Sequence, residues 1–338
     1  MKKLLPFAMA MALAAPAFGQ EAVSDPVGYI SLGNVSADGG DVPALAAGSE
    51  IVFSLPLLQP IEATVTVGSF SNGVISVDEI LTAGDFDAPQ AGAPSMIHVQ
   101  SGDAEGAFGL IQANDEGSIT VMGQTASILD GLAEGDVVAI REAVTISSVI
   151  PADSVPTGVQ VNLFDPIEGI NTSSTTTLQA AGANWVNVTA GGLGNDVVLF
   201  PNEAYVMVNP TATDIDDLVI TGAVPLSDSF IPLATSTAGA QDTRFAFVSP
   251  VSQPISEAGL PAQTGDQVLV FNNAASGINK SAATTLQFAN GNWINITAGG
   301  LANDFPLEGG QGFVFRRAAA GDGDDINADG QPTYVSGL

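Results

Sequence analysis

The chain of 338 residues contains no cysteine and only one histidine. Without cysteine it forms no disulfide bond and has no thiol nucleophile, so its stability must come from buried core area. The usual zinc sites need several His or Cys ligands and are excluded. His98 stands in the apolar run SMIHVQSG and is predicted to be a packed imidazole. A histidine-based triad would need partners that only the fold could bring to it.

Basic residues are scarce: 7 Lys and Arg stand against 36 Asp and Glu, a formal net charge of −29. Nucleic acids and anionic membranes both bind clustered Lys and Arg, so neither is expected as a partner. Hydrophobic residues make up 46% and charged residues 13%, which predicts a folded chain rather than an acidic disordered one. The acidity suits salty or cation-rich surroundings, where counterions screen self-repulsion.

Long apolar runs are absent beyond the N-terminus. Residues 1–19 combine two lysines, an apolar stretch and small residues before Gln20, which predicts a signal peptide. No later window is long and apolar enough for a transmembrane helix. We therefore expect an exported protein with no transmembrane segment, located outside the cell, at the cell surface or in the periplasm.

Short alternating runs rich in Val, Ile, Thr and Phe recur between Gly, Pro, Asn and Asp, which predicts an all-β fold. Sandwich-like or barrel-like β-modules are expected. Helical spacing is confined to 77–84 and 125–135. Aromatic residues are only 6%, which disfavours an outer-membrane barrel with aromatic girdles.

The chain repeats itself. GINTSSTTTLQAAGANWVNVTAGGLGND at 169–196 returns at 277–304, 108 positions later, with 19 of 28 residues identical. FSLPLLQPI at 53–61 resembles FVSPVSQPI at 247–255 at a larger offset of 194, so the first copy must contain an insertion. The predicted organisation is a tandem duplication: a signal peptide (1–19), β-module A (20–61 and 156–211) interrupted by an inserted β-rich domain (62–155), and β-module B (212–338).

The repeated strand ANWVNVT suggests a candidate ligand face. Alternate side chains point to opposite sides of a strand, and Val186 and Val188, which become Ile residues in the second copy, are predicted to face the core. The opposite face repeats Trp-Asn-Thr, and its residues are Trp185, Asn187, Thr189, Trp293, Asn295 and Thr297. This face is interpreted either as a polysaccharide-binding platform or, the favoured alternative, as a ring that covers the following turn.

The segment GDGDDINADG at 321–330 is a candidate calcium loop, because hard cations bind clustered carboxylate and carbonyl oxygens. It lacks the spacing and the final Glu of an EF-hand, so an exposed acidic loop is the alternative. The candidate ligands are Asp322, Asp324, Asp325, Asn327 and Asp329. No other cofactor is expected.

Three segments carry a family resemblance: DPVGYISL at 25–32, GDVVAI at 135–140 and VLVFNNAASGINKSA with the following NGNW at 268–293. In these the chain resembles a family of secreted proteins from verrucomicrobial-type bacteria. The resemblance implies export and a β-rich fold, and it assigns no activity and no functional residue.

The expected function is that of a non-enzymatic structural or interaction protein of the cell envelope, self-associating in a manner that calcium promotes. The alternative is an extracellular polysaccharide-binding module that uses the Trp-Asn-Thr faces.

Overall fold

The structure of the protein is a computed structural model that describes residues 26–32, 44–88, 92–165, 169–319 and 326–330. The predicted signal peptide lies outside these residues. Within them the fold is nearly all β, as the alternating runs predict. No described helix is long and apolar enough to cross a bilayer.

The strands are short and follow one another closely. The first are β1 (Val27–Ser31), β2 (Ser49–Phe53), β3 (Ile61–Ser71), β4 (Val74–Val77), β5 (Ser95–Val99), β6 (Phe108–Asp115), β7 (Ser118–Val121) and β8 (Val137–Glu142). Next come β9 (Gln160–Leu163), β10 (Thr176–Ala181), β11 (Asn184–Asn187), β12 (Tyr205–Asn209), β13 (Val219–Ala223), β14 (Ser229–Leu233), β15 (Gln241–Phe245) and β16 (Gln253–Pro254). The last are β17 (Gln267–Val270), β18 (Thr284–Ala289), β19 (Asn292–Asn295), β20 (Pro306–Leu307), β21 (Phe313–Arg317) and β22 (Ile326–Gly330).

Helical structure is limited to single turns. The α-helical turns are α1 (Gly123–Ala126) and α2 (Ile146–Val149), and the 3-10 turns are Ser127–Leu129, Ala152–Ser154 and Ile255–Glu257. The helix predicted at 125–135 is thus a shorter turn that begins two residues earlier. The turn predicted at 77–84 is wrong, since this segment contains no helix.

Strands β3 to β8 close a six-stranded barrel in the order β3-β4-β7-β6-β5-β8. Alternate side chains point inward and fill it, as Val65 and Val67 do from β3 and Val138 and Ile140 from β8. The barrel interrupts the chain between β2 and β9, which belong to one sheet. The domain boundaries proposed from the sequence stay predictions.

Two five-stranded sheets correspond strand for strand. The first sheet has the order β11-β10-β9-β12-β2 and the second sheet the order β19-β18-β17-β21-β15. Their registers agree as well: Glu50 lies opposite Val208 in the first sheet, and Asp242 lies opposite Arg316 in the second. The two-stranded pairs are β1-β13, β14-β22 and β16-β20.

An approximate two-fold axis relates the sheets. Strands β1 and β13 pair antiparallel with Tyr29 opposite Thr221, which is 192 positions later. The same offset of 192 relates β2 to β15. An antiparallel pair in which equivalent residues oppose each other is what a two-fold axis generates. The two halves therefore face each other across one interface, while an ancestral duplication stays a prediction.

Candidate functional site

The repeated tryptophans are core residues. Trp185 is fully buried, and its indole Nε1–H donates to the carbonyl oxygen of Ile150 at 2.7 Å. Trp293 is 4% exposed and packs edge-on against Phe288, with ring centroids 5.3 Å apart. The predicted assignment of the strand faces is therefore wrong, because the rings face the core and Val188 is 49% exposed. A buried ring offers no surface on which a sugar can stack.

The polar members of the repeated face hold the turn that follows the strand. Asn187 Oδ1 accepts backbone N–H groups of Thr189 and Ala190 at 3.1 and 2.9 Å, and Thr189 Oγ1 accepts the N–H of Thr177 at 3.0 Å. The second copy repeats these bonds with Asn295, Thr297, Ala298 and Thr285. These contacts support the structural interpretation of the repeated face.

The candidate calcium loop falls largely outside the described residues. Asp322, Asp324 and Asp325 lie outside them, whereas Asn327 and Asp329 belong to β22 and pair with Pro232 and Phe230 of β14. Within the described ranges no three His, Cys, Asp or Glu side chains are grouped as metal ligands. Calcium binding at 321–330 stays a prediction.

His98 is buried in β5, as predicted. Its Nε2 lies 2.8 Å from Ser227 Oγ, its Nδ1 lies 2.8 Å from the amide nitrogen of Gln100, and its ring stacks on Phe108. Because an amide nitrogen only donates, Nδ1 accepts and Nε2 carries the proton. Burial and the nearby Arg141 lower the pKa of His98 to about 3. In this tautomer the imidazole cannot take a proton from Ser227, so the pair is structural.

Two equivalent turns cross between the halves. The carbonyl oxygen of Gly169 in the first copy accepts the Asp242 N–H at 3.0 Å. The carbonyl oxygen of Gly277 in the second copy accepts the Glu50 N–H at 3.1 Å. Both glycines have φ near +110°, a conformation that other residues rarely adopt. The Asp242 carboxylate also accepts the Asn171 N–H at 2.8 Å, as Glu50 accepts that of Lys280 at 2.7 Å. Each half thus anchors its turn on the first strand of the other sheet.

One cavity of about 510 Å³ lies where the two sheets meet the barrel, and we call it the charged cavity. The residues that give it its chemistry are Phe164, Asp165, Asn202, Glu203, Arg244 and, from the barrel, Phe108. Arg244 projects from β15 on the same side as Asp242, two residues away. Its guanidinium carbon lies 3.7 Å from the centre of the Phe164 ring.

Burial shifts the acid–base properties of this cavity. The pKa of Glu203 is raised from 4.5 to about 7: burial raises it most, a hydrogen bond from Tyr205 lowers it, and the nearby Asp165 raises it. Burial also lowers the pKa of Arg244, against the attraction of Asp242 and Glu50. Arg244 stays charged, because a guanidinium does not lose its proton in proteins.

A second cavity of about 440 Å³ occupies the equivalent place on the other side of the two-fold axis, and we call it the amide cavity. Asn272 and Gln311 line it where the charged cavity has Asp165 and Glu203. The Gln311 amide donates to the Phe271 carbonyl at 2.7 Å, and Asn272 Oδ1 accepts the Ala274 N–H at 2.9 Å. Each of these two amides thus makes a hydrogen bond within the protein.

Arg244 of the charged cavity has no charged counterpart at the amide cavity, because the equivalent position in the first sheet is Val52 of β2. The carboxylate of the amide cavity, Glu308, is exposed at its rim. One member of an equivalent pair of cavities therefore carries the guanidinium of Arg244 with Asp165 and Glu203, and the other carries amides at the two acidic positions and Val52 at the third.

Sequence reasoning missed these residues, although a signal was present. When the two repeat copies are aligned strand by strand, Asp165 stands against Asn272 and Glu203 against Gln311. Ionisable residues that replace amides in only one copy are candidates for function.

The chain matches no protein-family model, no curated protein and no solved structure at a significant level.

Proposed function

We propose that the protein is an exported, non-enzymatic interaction protein that binds an extracellular carbohydrate in the charged cavity. The observation that carries the proposal is the difference between the two equivalent cavities. The amide cavity has amides that bond within the protein at the two acidic positions and no cation, whereas the charged cavity presents the Arg244 guanidinium and the Glu203 carboxyl group to a space of about 510 Å³. A volume of this order is typical of small-molecule sites.

The walls of the charged cavity suit a sugar. The half-buried Phe200 supplies apolar surface for the C–H face of a ring, and the carboxyl groups of Asp165 and Glu203 accept hydrogen bonds from hydroxyls. We therefore propose the charged cavity, rather than the faces with the buried tryptophans, as the carbohydrate-binding site.

The test is calorimetric titration of the protein with glucose, glucuronate and cellobiose, followed by assay of the mixtures for new reducing ends. We expect at least one sugar to bind and none to be converted. Thr172→Trp should abolish binding, because this half-buried side chain lines the cavity and a larger one would fill it. An unchanged unfolding midpoint of the variant shows that its fold is intact.

Two results would overturn the proposal. Absence of binding by all three sugars removes the carbohydrate assignment. Hydrolysis of cellobiose by the protein, lost in the Glu203→Gln variant, would overturn the proposal that the protein is non-enzymatic. A carboxyl group with a pKa near neutrality is suited to act as a general acid.

A second candidate function, assembly in the cell envelope, is favoured by a repeated apolar patch. Val188 and Leu193 are 49% and 71% exposed on the first hairpin, and Ile296 and Leu301 are 48% and 76% exposed at the equivalent places of the second. The occupant we propose is a second copy of the chain. Two copies that each carry −29 repel each other, so association would need screening cations such as calcium.

Light scattering with millimolar calcium and then with a chelator tests the assembly role. Growth in mass that Leu193→Asp together with Leu301→Asp abolishes would support it. A monomer in both conditions would contradict it.

A further inference from the structure

The cation of the charged cavity lacks a hydrogen-bonding partner in the part of the chain that the structure describes. Arg244 is half-buried and stacks on Phe164, but its guanidinium N–H groups make no hydrogen bond or ion pair with a described residue. A desolvated guanidinium ordinarily binds a carboxylate or a phosphate. Its free donors therefore point to a ligand anion.

The carboxylate of Asp242, which attracts Arg244, is already used. Asp242 lies on the same strand, but its two oxygens accept Nε and an Nη of Arg316 at 2.7 and 2.9 Å. Asp242 also accepts the N–H of Asn171 and is only 7% exposed. Both of its carboxylate oxygens are therefore occupied by protein donors. The bidentate pair with Arg316 leaves Arg244 to the cavity.

The other cations of the two-sheet junction are engaged elsewhere. Arg317 pairs with the buried Asp266 at 2.9 Å, and Lys280 donates to the carbonyl oxygens of Asn272 and Ala275 at 2.8 and 3.0 Å. Among the described residues that line the charged cavity, Arg244 is the one positive side chain.

We propose that the charged cavity selects acidic sugars: the Arg244 guanidinium holds the ligand carboxylate, and Asp165 and Glu203 accept hydrogen bonds from the ligand hydroxyls. This inference rests on the proposed carbohydrate-binding function and names the class of sugar. An anion approaches against the net charge of −29, so the selectivity must come from the short-range pair with Arg244.

The experiment compares glucuronate with glucuronamide, which replaces the carboxylate by a neutral amide of the same shape. In the wild-type protein we expect glucuronate to bind about ten-fold tighter or more, the contribution of a charge-assisted hydrogen bond. This comparison needs no variant, so it remains decisive even if a substituted protein fails to fold.

Two variants locate the effect. Arg244→Met should remove the preference for glucuronate while the affinity for glucuronamide changes by less than about three-fold. Lys280→Met is the control, because it also removes one positive charge, at a crossing turn outside the lining of the charged cavity, and should keep the preference.

The outcomes separate the inference from the proposed function. Equal binding of glucuronate and glucuronamide, or a preference that survives Arg244→Met, overturns acidic-sugar selection and leaves carbohydrate binding standing. Failure of all sugars to bind overturns both.

Discussion

The two halves of the molecule share a framework and differ in the chemistry of one cavity. Strand order, register and crossing turns correspond. So do two hydrogen bonds that join the halves, from the Ser54 N–H to the Gly310 carbonyl and from the Ala246 N–H to the Asn202 carbonyl. We expect these shared contacts to stabilise both halves. Arg244, Asp165 and Glu203 break the correspondence, and we propose that they serve binding rather than folding.

The largest effects are expected where the halves agree, at the buried tryptophans. Trp185→Ala and Trp293→Ala should each lower the free energy of unfolding by about 3–5 kcal/mol, measured by urea denaturation. Substitution of each tryptophan by Phe should affect the two copies differently. Trp185→Phe should cost about 1–2 kcal/mol more than Trp293→Phe, because it leaves the Ile150 carbonyl without its donor. Losses below about 1 kcal/mol for both alanine variants would show that the rings do not anchor the hairpins.

The next largest losses of stability are expected at the two crossing turns, and they should differ between the two turns. Asp242→Asn should cost about 3 kcal/mol, because the Arg316 guanidinium loses its bidentate carboxylate. Glu50→Gln should cost about 1 kcal/mol, because an amide oxygen can still accept the Lys280 N–H. Equal losses in thermal or urea unfolding would contradict the view that the crossing at Asp242 depends on an ion pair and the crossing at Glu50 does not.

Much of the fold could be predicted from the sequence, because the alternation of Val and Ile with polar residues is a local signal. The side of the strand that faces the core could not. Trp185 and Asn187 share a side, as the period of two requires, but the large ring takes the buried position and Val188 at the strand end is left exposed. The alternation of side chains along a strand is a local property. Which side is buried depends on the elements that pack against the strand in the folded protein.

The repeat alignment singles out Asp165 and Glu203, but the grouping of the site residues in one cavity could not be predicted from the sequence. Asp165, Glu203 and Arg244 belong to separate strands and loops, and Phe108 comes from the barrel, so no spacing in the sequence joins them. Each acidic residue taken alone is one of 36 in the chain. Only the fold brings them to one cavity beside the guanidinium.

A smaller, pH-dependent effect is expected at Glu203. Its pKa in the folded protein, about 7, lies above the ordinary 4.5, so the fold favours the neutral carboxyl group. This stability is fully present below about pH 4.5 and is lost as the pH rises through 7. Glu203→Gln, which copies Gln311 of the amide cavity, should therefore stabilise the protein by about 1–2 kcal/mol at about pH 8 and by nothing at about pH 4, with solvent screening reducing the effect of this half-buried side chain.

Unfolding curves at both pH values check this prediction, and Gln311→Glu is the reciprocal change. It should destabilise the protein at high pH, since it places a carboxylate where an amide donates to the Phe271 carbonyl. A gain from Glu203→Gln that is the same at both pH values would contradict the raised pKa.

The smallest stability effect is expected at the residue on which the binding proposal depends most. Arg244→Val restores the residue of the equivalent position, Val52, and removes a desolvated cation whose stacking on Phe164 contributes about 1 kcal/mol. The lost stacking and the relieved desolvation oppose each other, so the free energy of unfolding should change by less than about 1 kcal/mol. The reverse change, Val52→Arg, buries a charge at a position only 2% exposed and should destabilise strongly. If Arg244→Val instead cost about 3 kcal/mol or more, Arg244 would be a structural residue; a stable variant that no longer prefers glucuronate would show that the guanidinium serves the ligand.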